Sequence, residues 1–240
     1  MNTPSSVVDW VLITGGTKGI GLATARIFAQ NGYGIITCSR HQEDLLNFKE
    51  NFIRNYQVPV QTYQGDLAEP SFVEKICRSC IERDQIPAVL INNAALYWPG
   101  TILSETPGNL ELMLAVNLYA PYELCRKLIP QMLIRGKGDI FNIGSISSIR
   151  SLPEGGIYSI SKHALSGMTK TLRAETMHTP IRVSLIIPGA TFTSSWDGVP
   201  IDPNRLMPPE DVASAIFYAH QLTSRSILEE IIIRPIKGDL

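Results

Sequence analysis

The chain has 240 residues, 44% of them hydrophobic, which is enough to bury the core of a single α/β domain spanning 1–240. A formal net charge of -1 gives no global attraction to nucleic acid or to an acidic membrane surface. The chain lacks an apolar run of about eighteen residues, and 1–6 hold no basic segment leading into an apolar one, so no membrane partner is expected and a cytoplasmic location is.

The four cysteines (Cys38, Cys77, Cys80, Cys125) are too few and scattered for a disulfide framework. Cys77 and Cys80 form a C-x-x-C inside a helical pattern with no second pair. The four histidines show no ligand spacing, so no metal site is expected.

The apolar run Val7 to Ile13 reads as a strand feeding a turn with Gly15, Gly19 and Gly21 and then a helix from Gly19 to Gln30. Glycines permit backbone conformations closed to other residues and remove side chains that would hold a phosphate away. The helix aims unpaired N–H groups and its positive dipole end at the same place, so a diphosphate is the natural guest of Gly15, Thr17, Lys18, Gly19, Ile20 and Gly21.

Strand and helix then alternate. Gly34 to Cys38, Val58 to Tyr63 and Ala88 to Ile91 read as strands, with helices at His41 to Asn55 and Pro70 to Asp84 between them. Two helical stretches, Leu103 to Ala115 and Leu118 to Arg135, precede the strand Asp139 to Ile143. A helix from Gly156 to Met177, a strand from Ile181 to Ile187, a helix from Pro209 to Gln221 and a last strand from Leu228 to Ile233 complete the chain. The pattern predicts a doubly wound, Rossmann-type parallel sheet of about seven strands with helices on both faces. Ligands of such sheets bind beyond the carboxyl ends of the strands.

After the second strand stand Ser39 and Arg40 in place of the acid that takes both ribose hydroxyls of NAD. An acid there would repel a 2′-phosphate, whereas Arg40 offers a planar donor fork and Lys18 adds a second cation, so the pattern favours NADP(H). After the fourth strand comes Asn92-Asn93-Ala94-Ala95. After the fifth comes Ser145, and thirteen residues later Tyr158, with Lys162 one helical turn beyond on the same face.

The T-G-x-x-x-G-x-G turn from Thr14, the N-N-A turn, Asn117, and Ser145 followed by Y-x-x-x-K resemble the short-chain dehydrogenase/reductase family from Thr14 to Thr193. The resemblance implies a catalytic tetrad of Asn117, Ser145, Tyr158 and Lys162. Tyr158 would be the proton donor and Lys162 would favour its phenolate while holding the ribose. Ser145 would orient the carbonyl oxygen, and Asn117 would anchor a water. It further implies cofactor contacts from Asp66 and Leu67 to the adenine end, from Asn93 and Ala94, and from Pro188, Gly189, Thr191 and Thr193 around the nicotinamide. Ala95 replaces the family's usual glycine, one methyl group more beside the nicotinamide ribose.

Substrate contacts are expected from Tyr97, Trp98, Arg150, Phe192 and Trp196 as well as Ser145, a largely apolar and aromatic wall. Family members generally pair through the helices equivalent to 118–135 and 156–177. A homodimer or homotetramer is therefore expected, with Ser161, Ala164, Ser166 and Gly167 allowing close approach. The leading expectation is an NADPH-dependent reductase of a small carbonyl compound. Alternatives are a 3-oxoacyl carrier-protein reductase, for which the 189–208 segment is short, and an NADP-binding protein without turnover.

Overall fold

In the computed structural model, which describes residues 8–196 and 198–238, seven parallel strands lie in the order β3-β2-β1-β4-β5-β6-β7. They are β1 Trp10–Thr14, β2 Gly34–Ser39, β3 Val60–Gln64, β4 Pro87–Asn92, β5 Gly138–Ile143, β6 Ile181–Pro188 and β7 Glu230–Ile233. The helices are α1 Gly19–Gln30, α2 Gln42–Tyr56, α3 Pro70–Glu82, α4 Asn109–Leu114, α5 Ala120–Arg135, α6 Gly156–Thr176 and α7 Pro209–Gln221. This is the Rossmann-type doubly wound sheet the alternating pattern predicts.

Side chains alternate across the sheet and so build two cores. Leu12, Ile36, Leu90, Ile140 and Val183 pack under α3 and α5, whereas Val11, Ile13, Ile35, Val89 and Ile91 pack under α1, α2 and α7. The strand order reverses between β1 and β4. In sheets of this kind that reversal opens a crevice at the carboxyl ends.

Three expectations need correction. The first strand starts at Trp10, and Val7 lies outside the described residues, as does segment 1–6. The helix expected from Leu103 begins only at Asn109, because Gly108 holds a left-handed φ of 94° that stops a helix from running through it. It then passes without a break through a π-helical turn, Ala115–Tyr119, into α5.

Small residues of α6 are divided rather than aligned: Ser161 and Ser166 are buried in the protein's own interior, while Gly167 meets open space. Exposed apolar side chains on this side of the sheet include Tyr119, Tyr122 and Ile160. All four cysteines are buried thiols. Among the described residues, no helix is long and apolar enough to cross a membrane.

Candidate active site

A cavity of about 700 Å³ opens at the carboxyl end of the sheet. Its floor is the glycine turn. Gly15 and Gly19 have φ values of 65° and 52°, the left-handed region that glycine tolerates best. A Cβ on Gly19 would lie 2.9 Å from Thr193 Cγ2, so the turn also touches the segment that follows β6.

Gly21 does not line the cavity. A Cβ there would meet the Gly15 carbonyl oxygen at 2.4 Å and Asn93 Nδ2 at 2.6 Å, so its absence lets α1 seat against the turn.

The turn hangs from side chains on neighbouring strands. Thr14 Oγ1 accepts from the backbone N–H of Asn93 and of Ala94, each at 3.0 Å. Asn93 Nδ2 donates to the carbonyls of Thr14 and Gly15 at 2.9 and 3.2 Å. Thr37 Oγ1 accepts from Gly16 N–H and donates to Ile13 O. Thr14 opens the T-G-x-x-x-G-x-G motif but with no role assigned to it, and Thr37 was not singled out at all, since a buried strand threonine looks like any other in the sequence; only the β1–β2 and β1–β4 pairing gives the two their partners.

At one end of the cavity stand Lys18, Ser39, Arg40, Asp66 and Leu67, joined by His41 and Asp44 from the start of α2. Ser39 Oγ accepts from His41 N–H, which forms the bend into α2. Asp66 Oδ1 accepts from Ala68 N–H at 2.9 Å, fixing the turn after β3. Lys18 is paired with Asp44 at 2.9 Å.

The other end gathers Ser145, Tyr158 and Lys162 with Tyr97, Arg150 and Trp196. Ser145 is pinned by a reciprocal cap. Its Oγ accepts from Ser147 N–H, and its own N–H donates to Ser148 Oγ at 3.1 Å. Tyr158 packs edge-on against Tyr97, with ring centroids 4.9 Å apart, and the Ser145 side chain acts on its phenol to lower its pKa.

Lys162 is buried and donates to the Ile143 carbonyl at 2.7 Å, with its Nζ 5.7 Å from the Tyr158 ring centroid. The helix carrying both is held in register by a buried polar chain: Asn92 Nδ2 donates to Asn142 Oδ1, and Asn142 Nδ2 to Thr169 Oγ1.

In the protein alone, burial sets the charge states of this pair. Burial pushes Tyr158 up to about 12, with the Ser145 side chain acting against it, although part of the residue faces the cavity. Burial also brings Lys162 down to about 8. The physical reason is that the ammonium is itself desolvated and directed at Ile143 O rather than at the phenolic oxygen. The protein alone therefore holds Tyr158 as a protonated acid.

Three other expected residues are placed elsewhere. Asn117 is buried in the π-helical turn, outside the cavity lining. Its side chain accepts from Leu96 N–H at 2.7 Å and donates to Leu96 O and to Ser161 Oγ, each at 3.0 Å. Ser161 Oγ donates on to Tyr158 O, so Asn117 braces the helix that carries the tyrosine.

Phe192 is more than half exposed and outside the cavity, because Thr191 next to it bridges to Met207 and turns inward. Trp98 is also absent from the lining, where Tyr97 takes the place against Tyr158. Ala95 lines the cavity with no left-handed φ, so the extra methyl group brings no backbone strain. Pro188, Gly189, Thr191, Thr193, Ala94, Thr17 and Ile20 also line it.

Such a sheet, with a glycine turn at the strand-order reversal and a Ser–Tyr–Lys cluster across the cavity, defines a dinucleotide-type oxidoreductase fold. The sequence pattern of the short chain dehydrogenases matches residues 9–202, and the chain belongs to that family. It is 29% identical over 238 residues to a sepiapterin reductase of Chlorobaculum tepidum, covering 96% of this chain and 97% of that one. A metagenomic short-chain oxidoreductase in complex with NADP superposes with a TM-score of 0.83 at 26% identity, over 95% of this chain and 96% of the other. L-sorbose reductase from Gluconobacter frateurii, complexed with NADPH and L-sorbose, gives 0.88 at 25% identity, over 95% of each chain.

Proposed function

We propose that the chain, a single domain over 1–240, is an NADPH-dependent reductase that converts a small ketone or aldehyde to an alcohol, working as a homodimer or homotetramer. The observation that carries this reading is that one cavity joins a glycine turn and Arg40 at one end to Ser145, Tyr158 and Lys162 at the other. The relatives crystallised with NADP or NADPH support the cofactor.

The residues present fit a dinucleotide. Gly15 and Gly19 leave space against Ala94 and Thr193 that a side chain would fill, and the amino end of α1 adjoins it. Arg40 at the ribose end supplies the fork for a 2′-phosphate where Ser39 offers no repelling charge. NADPH should bind at least about tenfold more tightly than NADH, since a charge-assisted contact contributes about 1.5–3 kcal/mol. Equal affinities for the two cofactors, or a preference left unmoved by Arg40→Ala, would sink the assignment.

When bound, the nicotinamide supplies a hydride to the carbonyl carbon. Ser145, fixed by its cap, receives the carbonyl oxygen within reach of Tyr158, and the protonated phenol gives its proton to that oxygen as charge develops. Lys162 sets the charge beside the ring. Tyr97 and Trp196 provide aromatic wall.

A small substrate is favoured by the segment after β6. Its ends are tied by Phe192 N–H to Met207 O at 2.8 Å and Met207 N–H to Ala190 O at 2.9 Å. Its regular structure among the described residues is limited to the short turns Ser194–Trp196 and Pro203–Arg205.

NADPH consumption across ketones, 2-oxo and 3-oxo acids, acyl thioesters and pteridines tests the reading. Small ketones or bicyclic carbonyls should exceed acetoacetyl thioesters in kcat/KM; a tenfold preference for the thioester would make this a carrier-protein reductase. Tyr158→Phe should lower turnover by at least about a hundredfold with NADPH affinity kept. Retained activity would assign the acid to another residue.

A further inference from the structure

Lys18 enters the cavity as the cation beside the second glycine of the turn, yet its ammonium is not free. Asp44, at the third position of α2, holds it at 2.9 Å, and both residues line the cavity at the end that carries Ser39 and Arg40. Ser39 removes an acid from the strand end, and Asp44 returns one from the neighbouring helix. Its carboxylate is the less exposed of the pair, with 27% side-chain exposure against 60% for the lysine, so the lysine is the partner with freedom to swing.

Resting on the reading that this end receives the 2′-phosphate, we infer that Asp44 competes with that phosphate for the Lys18 ammonium and thereby sets how tightly NADPH binds. Binding then exchanges one ion pair for another. Lys18 gives up Asp44 to reach the phosphate, while the Asp44 charge stays in the cavity wall and repels the same group. Cofactor discrimination falls mainly to Arg40. NADH, with an uncharged 2′-hydroxyl, leaves the Lys18–Asp44 pair undisturbed. Asp44 also suits the amino end of α2, as does Glu43 in the same turn, which is exposed and does not line the cavity. Glu43 therefore provides the control for a purely helical role.

The test is fluorescence titration of NADPH and NADH on the full chain, its Asp44→Asn, Lys18→Ala and doubly substituted forms, and Glu43→Gln. Asp44→Asn should tighten NADPH by about fivefold, the scale of an exposed ion pair, and leave NADH within about twofold. Lys18→Ala should weaken NADPH more in the Asp44→Asn background than in the native chain, because only there is the ammonium uncommitted. Glu43→Gln should change neither cofactor.

Asp44→Asn that weakens NADPH, that leaves both cofactors unchanged, or that weakens NADH alone as a lost ribose contact would overturn the competition. Arg40→Ala separates the two failures. If it weakens NADPH while Asp44→Asn does nothing, the phosphate end stands and the competition falls; if Arg40→Ala and Lys18→Ala both leave NADPH untouched, the phosphate does not bind here and the site reading fails with it.

Discussion

Thr14 shows how much one side chain decides at the residue scale. Its hydroxyl oxygen is the shared acceptor for two backbone N–H groups at the end of β4, and those groups position the turn beneath the cavity. Thr14→Val keeps the shape and removes the acceptor, so it should cost about 1–3 kcal/mol in denaturant unfolding and weaken NADPH binding. Unchanged stability would mean that water reaches those N–H groups. Lys162 sets a pH limit. Burial lowers it to about 8, so the ammonium is present below that pH and lost above it, while Tyr158, raised to about 12, stays protonated throughout. The kcat/KM for NADPH, which reports groups of the cofactor-free enzyme, should be level below about pH 8 and fall with a one-proton slope above it. A profile that rises through that range would contradict the assignment.

At the scale of elements, a buried ionic cluster at the amino end of the sheet joins β5, β6 and α7. Arg182 donates to both oxygens of Asp139 at 2.6 Å, His220 Nδ1 lies 2.6 Å from Asp139 Oδ2, and Tyr33 Oη meets His220 Nε2 at 2.8 Å. Arg182 also donates to the carbonyls of His220 and Leu222 and so closes the end of α7. Burial raises the Asp139 carboxyl, but the His220 and Arg182 hydrogen bonds outweigh it and hold the group below its ordinary value. A depressed carboxyl stabilises the fold above its unfolded pKa, near 3.9, and that stability is lost as pH falls through the lower folded value. Asp139→Ala should cost about 3 kcal/mol by leaving Arg182 uncompensated. Melting temperature followed from pH 6 to 3 should fall more steeply for the native chain than for Asp139→Asn. Parallel curves would remove Asp139 as a source of acid sensitivity.

For the whole molecule, the exposed Tyr119, Tyr122 and Ile160 leave apolar surface around α5 and α6 that a second copy would cover, although Ser161 and Ser166 face inward. Sedimentation at micromolar concentration should give a dimer or tetramer, and a lone 26.5 kDa species would count against it. The order of strands and helices, the glycine turn, Ser145 and the Tyr158–Lys162 pair were legible in the sequence, because periodicity and fixed spacing are local properties of a chain. Bounds were less legible: the start of α4 depends on Gly108, and the π-helical turn at Asn117 leaves no mark in apolar spacing. Long-range pairing was not legible at all. Asn117 lies 21 residues from Leu96 and 44 from Ser161, and its amide becomes a brace only when α6 packs beside the turn. Lys18 and Arg40 appear in the sequence as two cations for one phosphate; the fold brings Asp44 to the first of them. Tyr158 and Lys162 were placed one turn apart by spacing alone, whereas their protonation follows from burial, which belongs to the assembled core rather than to either residue. The sequence by itself determined which groups are present and on which elements. The tertiary structure decided which of them are already committed to partners and which charge each carries, because hydrogen bonding and desolvation act between segments that only folding brings together.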